Sequence, residues 1–161
     1  MNERPDVNGS GDHATIEFIT VKIAGQLFGL PILKVEDVFS PQGITQVPLS
    51  LPEVAGVLNL RGRIVTAIDM RKRLGVPARK GQASTMAVGI EYKGESYGLM
   101  IDEVGEVLRL QHGELEPNPT NLHRNWSAVS AGVYQLDGEL MVVLDVARVL
   151  DIGPRAQPVA A

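Results

Sequence analysis

A mainly β fold of two small five-stranded barrels, packed on each other, is predicted by three observations in this sequence. Short apolar runs come in pairs around two-residue turns that end in glycine, as at Ala24-Gly25, Arg61-Gly62 and Asp137-Gly138. In each half one hairpin runs into aspartate and a short stretch of helical character, Asp69 before Met70–Leu74 and Asp145 before Val146–Leu150. The arrangement occurs twice. Ala131 to Leu150 aligns without a gap on Ala55 to Leu74, and Lys93 to Leu108 aligns on Ala24 to Phe39.

Taken in order, residues 1–15 are polar and hold Pro5, Gly9, Ser10 and Gly11, which predicts a flexible tail. Glu17 to Ile23 alternates, with Ile19, Val21 and Ile23 on one side, and Gln26 to Pro31 returns as its hairpin partner. Ile32 to Phe39 follows a proline with apolar residues spaced three apart, which predicts a helical turn running into a short strand. Ser40-Pro41-Gln42-Gly43 and Val47 to Pro52 are connections, and Val54 to Gly56 leads into the central hairpin. There Val57–Leu60 and Ile64–Ile68 flank Arg61-Gly62, where glycine supplies the positive φ of a tight turn. Asp69 is placed to cap the first amides of the helix, Gly75 to stop it, and Arg71, Lys72 and Arg73 to favour its negative end.

Val76 to Ser84 reads as a linker, and strand pattern resumes from Thr85 to Tyr92. The repeat offset is 69 residues in the first hairpins and 76 in the second, so the second half holds seven extra residues between Leu110 and Ser130. That segment, with Pro117, Pro119, His123 and Trp126, reads as an irregular loop. The ordered domain is thus 16–152, in two halves of about 16–80 and 81–152, with a second tail at 153–161. A barrel of this size has a small core, so the halves are expected to share one and to leave a groove between them as the binding surface.

Composition removes several function classes. A hydrophobic share of 44% with 21% charged residues is that of a globular protein. No run approaches the eighteen or so apolar residues of a membrane span, and the first residues do not resemble a secretory signal, so a cytoplasmic protein without membrane insertion is expected. The absence of cysteine excludes disulfides, thiolate metal sites and a cysteine nucleophile. A net charge of -4 gives no global attraction to nucleic acid, and 4% aromatic residues are few for stacking on bases.

Catalytic patterns are missing as well. His13, His112 and His123 lack metal-ligand spacing and read as solvated loop residues. Asp69 and Asp145 stand at one repeat position in different halves, which fits capping better than paired acid catalysis. The glycines lie at turns and form neither a P-loop nor a dinucleotide fingerprint. Arg61, Arg63, Arg71, Lys72 and Arg73 make a local basic cluster that reads as solvated, dipole-complementing charge, with a small-barrel nucleic-acid module as the alternative. Arg61 stands apart, because a turn does not require arginine and its repeat mate is Asp137. Asp37 is a candidate partner that would hold the guanidinium beside aliphatic surface.

Phe28-Gly29-Leu30-Pro31-Ile32 with Val35 and Val38, Gly56 to Gly62 with Ile64-Val65 and Ile68-Asp69-Met70, and Gly98 to Val104 together resemble the CheW family of chemotaxis coupling proteins. The resemblance spans about residues 16–152 and implies two intertwined five-stranded barrels with a short helix after each C-terminal hairpin. It implies a non-catalytic, cofactor-free adaptor that bridges the cytoplasmic tip of methyl-accepting chemoreceptors and the regulatory domain of the histidine kinase CheA in signalling arrays. It also implies receptor contacts in the groove, carried onto Val35, Gly56, Arg61, Met86 and Val104, with Asp37 orienting Arg61. The sequence departs from the family pattern at Thr66, where proline is frequent, and at Asp37, where the acid is usually glutamate. An adaptor for a non-flagellar chemosensory pathway is the alternative within this class.

Overall fold

The computed structural model describes residues 14–78 and 85–152. The expected flexible segments fall almost wholly outside the described residues; only Ala14 and Thr15 of the first tail lie within them. Among the described residues there are ten strands: β1 (Thr15–Ile23), β2 (Gln26–Pro31), β3 (Val35–Phe39), β4 (Val54–Leu60), β5 (Arg63–Asp69), β6 (Met86–Tyr92), β7 (Glu95–Ile101), β8 (Glu103–Gln111), β9 (Ser130–Leu136) and β10 (Glu139–Leu144). Three short helices join them: α1 (Met70–Leu74), α2 (Arg124–Ser127) and α3 (Val146–Leu150). The expected helical turn before β3 is a 3₁₀ turn at Ile32–Lys34.

The strands form two five-stranded sheets, in the orders β8-β1-β2-β10-β9 and β3-β6-β7-β5-β4. Replacing each strand of one sheet by its repeat mate generates the other. The sheets therefore do not coincide with the halves of the sequence. Each takes an N-terminal hairpin from one half and three strands from the other, joined by the parallel pairs β2–β10 and β5–β7. The chain changes sheet between β2 and β3 and again between β7 and β8.

Neither sheet closes into a barrel by a strand ladder, because β8 and β9, or β3 and β4, share no ladder. Each seam is spanned instead by the segment that follows the crossing strand. Thr45 exchanges two backbone hydrogen bonds with Val57, at 2.8 and 2.9 Å, and Glu116 does the same with Val133 at 2.8 Å each way. Gly56 and Gly132 make this possible: each has an extended positive φ, +147° and +145°, and a Cβ there would strike the carbonyl of Thr45 or Glu116. The closure is a property of the repeat.

The apolar residues divide three ways. Phe18, Leu27, Tyr134, Met141 and Val143 fill one sheet's concave side, and Phe39, Leu58, Val65, Ala67 and Ala87 fill the other's. The largest cluster lies between the sheets and joins Val21, Phe28 and Leu30 to Ile68, Val88, Leu99 and the buried faces of α1 and α3. The space between the sheets is thus packed core, and the expected open groove is reduced to its rim.

Both aspartate caps are present. Asp69 accepts hydrogen bonds from the Arg71 and Lys72 amides at 3.0 and 3.2 Å, and Asp145 accepts from Arg148 at 3.2 Å. Gly75 ends α1 in the left-handed conformation at φ +73°. The cations of α1 are used differently from the local expectation. Arg73 donates to the Val149 and Arg148 carbonyls at 2.9 Å and so caps α3, whose closing residue Asp151, at φ -88°, is not left-handed.

Candidate functional site

Arg61 sits at the tip of the β4–β5 hairpin, in a turn whose two residues both have positive φ, +54° for Arg61 and +84° for Gly62. The Asn59 side chain steadies the turn by accepting the Gly62 amide at 2.8 Å. The arginine is 73% exposed, and its Nη1 donates to Asp37 Oδ2 at 3.3 Å across the seam between β3 and the hairpin. Arg63 and Glu36 span the same seam at 3.6 Å. Contacts so exposed contribute about 0–1 kcal/mol each, so their effect is to fix where the charge stands. Most of the donors of Arg61 remain turned to solvent.

The other residues singled out from the sequence separate into two groups. Val35 and Val104 are repeat mates near the start of the strands that have just crossed between sheets, β3 and β8, and both are half-buried against the central core. Met86 opens β6, packs on the same core and pairs with Ile101 one residue before the second crossing. Each leaves half-buried aliphatic surface at the rim of one of the two crossings. At the first crossing a shallow cavity of about 260 Å³ is lined by Ile16, Pro31, Ile32 and Leu33 together with the polar Thr15, Glu17 and Arg109, and Leu33 is almost fully exposed. Gly56, in contrast, is buried beneath the Thr45 carbonyl, where it shapes the sheet that carries Arg61.

Two residues that shape this region were not singled out. Asp102 is the one residue between β7 and β8. It receives Arg71 in a bidentate pair, Nε to Oδ1 at 3.1 Å and Nη2 to Oδ2 at 2.6 Å, and it also accepts the Ala24 amide at 2.8 Å. The Asp102 hydrogen bond raises the Arg71 pKa above its ordinary value, against a smaller opposing effect of burial. Trp126, from the segment that holds the seven extra residues, donates its indole N–H to the Leu74 carbonyl at 3.1 Å and sets its ring edge-on to Phe28 at 5.4 Å.

The basic cluster is dispersed by these contacts. Among the described residues Arg71 points to Asp102, Arg73 to the end of α3, Arg61 to Asp37 and Arg63 to Glu36, so these four arginines are each drawn to a different partner. His123 caps α2 by accepting the Asn125 amide on Nδ1 at 3.1 Å, His112 lies in an exposed 3₁₀ turn, and His13 is outside the described residues. Among the described residues no group of three or more His, Asp or Glu side chains is placed to hold a metal, and no helix is long and apolar enough to cross a membrane.

Fold and surface together define a class: a two-sheet β module whose distinctive surface is an anchored, exposed cation on one sheet and an aliphatic rim at the strand crossings. The chain belongs to the family of the CheW-like domain, which matches residues 17–153. The chemotaxis protein CheW of Thermotoga maritima is 30% identical over 135 residues, covering 84% of this chain and 87% of the relative. A chemotaxis protein CheA of Salmonella typhimurium is 27% identical over 134 residues, and the match spans 83% of this chain but 19% of that longer protein. The crystal structure of the scaffolding protein TtCheW from Thermoanaerobacter tengcongensis superposes with a TM-score of 0.77 at 26% identity, covering 86% of this chain and 94% of that one.

Proposed function

We propose that this chain is a non-catalytic adaptor that couples the cytoplasmic tips of methyl-accepting chemoreceptors to a CheA-type histidine kinase and is recruited through them to membrane-associated arrays. The observation that carries the reading is Arg61. A solvent-facing guanidinium tied to Asp37 across a sheet seam stabilises the fold little, yet it holds a charge in a fixed place on the surface. Such a surface suits the side of a receptor helix, with Val35, Met86 and Val104 supplying apolar contact and Arg61 fixing register. Gly56 enters only as backbone support. The likeness to part of a CheA supports a second contact, between this chain and the related domain of the kinase. Each contact need only be weak, because an array multiplies them through effective concentration.

Co-sedimentation of receptor signalling domains with CheA, with and without this protein, tests the coupling. Arg61→Glu is expected to fold, to keep kinase binding and to lose receptor coupling. Receptor co-sedimentation unchanged in a folded Arg61→Glu protein refutes the role of Arg61. The choice between a flagellar and a non-flagellar pathway lies in which receptors are captured.

A further inference from the structure

Asp37 and Gly89 face each other as register partners on β3 and β6, just after the irregularity that admits Glu36 as an extra residue. A Cβ placed on Gly89 would run into Asp37 Oδ1 at less than any distance real Cβ atoms show, while its contact with Phe39 Cε1, at 3.4 Å, would be ordinary. That same Oδ1 is buried and has no hydrogen-bond partner among the described residues, whereas Oδ2 faces Arg61. The carboxylate therefore lies over the bare Cα of residue 89, inside the mouth of the sheet, with one oxygen directed out to the guanidinium. Gly89 does not have a positive φ, so no turn or backbone strain accounts for a glycine in the middle of this strand.

We infer that Gly89 is a positioning residue: the space its missing side chain leaves is the seat in which the short carboxylate of Asp37 is held, and that seat fixes Arg61. The consequence for receptor coupling rests on the function proposed above; the consequence for Arg61 does not. An alanine at 89 displaces the carboxylate, and aspartate has no further methylene with which to reach back. Glutamate at 37 has one.

The test uses the full chain and two readouts. The side-chain guanidinium resonances of Arg61 report whether the ion pair forms, with Asp37→Ala as the unpaired reference. Gly89→Ala is expected to move them to that reference and to weaken receptor co-sedimentation about tenfold, the scale of losing one anchored arginine contact. Kinase binding should not change. Asp37→Glu combined with Gly89→Ala is expected to restore both readouts. Wild-type Arg61 resonances in Gly89→Ala, or a double variant no better than the single one, overturn the inference. Should Gly89→Ala fail to fold, Asp37→Ala/Gly89→Ala decides: recovery of the fold locates the clash at Asp37, and continued failure overturns the seat. If the wild-type protein captures no receptor, the coupling reading falls, while the Arg61 resonances still decide whether Gly89 holds the pair.

Discussion

Removing Asp102 should loosen the joint between the two sheets more than any other single surface-proximal change. In Asp102→Ala the Arg71 guanidinium, whose side chain is only 20% exposed, loses both bonds of its fork, and the Ala24 amide loses its acceptor. Hydrogen bonds to a charged group contribute about 1.5–3 kcal/mol each, and stranding one member of a fully buried pair costs about 3–5 kcal/mol. The three bonds share one carboxylate and water reaches part of Arg71, so they do not add, and a loss of about 3 kcal/mol is expected. For a domain of this size that is a fall in Tm of about 9 °C. Because Asp102 raises the Arg71 pKa, the arginine contributes its stability throughout the neutral range and loses it only in strong alkali, as pH rises through the raised folded value. The Arg71 side of the tie therefore does not titrate near neutrality. Urea unfolding followed by Trp126 fluorescence measures the loss, and Arg71→Ala/Asp102→Ala closes a double-mutant cycle with an expected coupling of about 1–2 kcal/mol. An Asp102→Ala loss below about 0.5 kcal/mol, or strict additivity in the cycle, would refute the idea that this pair joins the sheets.

Three other perturbations test the remaining structural claims. Trp126→Phe should keep the ring on Phe28 but lose the bond to the Leu74 carbonyl, at a cost of about 1 kcal/mol, and Trp126→Ala about 2–4 kcal/mol, both read from far-UV thermal melts. Gly56→Ala and Gly132→Ala should each cost at least the 1–3 kcal/mol of a strained backbone, and the receptor co-sedimentation proposed above should be unchanged per folded molecule by Gly56→Ala; a specific loss at full foldedness would make Gly56 a contact under that proposal. Burial pushes the Tyr134 hydroxyl above its ordinary value, and the same cause acts on Tyr97. Stability from such a group is present below about pH 10 and is lost as pH rises through the raised folded value, at up to about 1.4 kcal/mol per pH unit. Tyr134→Phe should therefore flatten the alkaline fall in urea midpoint, and an equally steep fall would refute it.

The parts of this fold that were legible in the sequence are those with local physical causes. A glycine after the hairpin tip, an aspartate before a short apolar-and-basic run and a proline before Ile32 each act within a few residues, and the turns, caps and 3₁₀ turn stand where they predict. What was not legible is which sheet each strand joins. The repeat shows that β5 is like β10, but likeness does not specify partners, and the parallel pairs that cross-link the halves have no turn between them to mark the register. Arg71 and Arg73 were misread for the same reason: a cation in the last turn of a helix satisfies a local rule, yet each finds its partner on a distant element. Faint signals for both were present. The residue after α3 is Asp151 where α1 is followed by Gly75, so one helix end wanted a cap from elsewhere. Asp102 aligns with Leu33, a charge where the repeat places an apolar residue.

Departures from the repeat also set the seams of the two sheets apart. At the seam of one sheet the chain places Asp37, Gly89 and Arg61; the repeat mates at the other are Glu106, Thr20 and Asp137. There the Thr20 hydroxyl occupies the seat and donates to the Glu106 carbonyl at 2.7 Å, and the hairpin tip carries an acid, so no cation can be held above it. That seam is bridged instead from within, by the buried Tyr134 hydroxyl donating to the Gln111 carbonyl at 3.1 Å. Two copies of one framework thus face the same problem of an unpaired edge. One resolves it with a hidden hydroxyl and the other with an ion pair left open to solvent, a choice that contributes little to stability and is explained if the exposed arginine has a partner to meet.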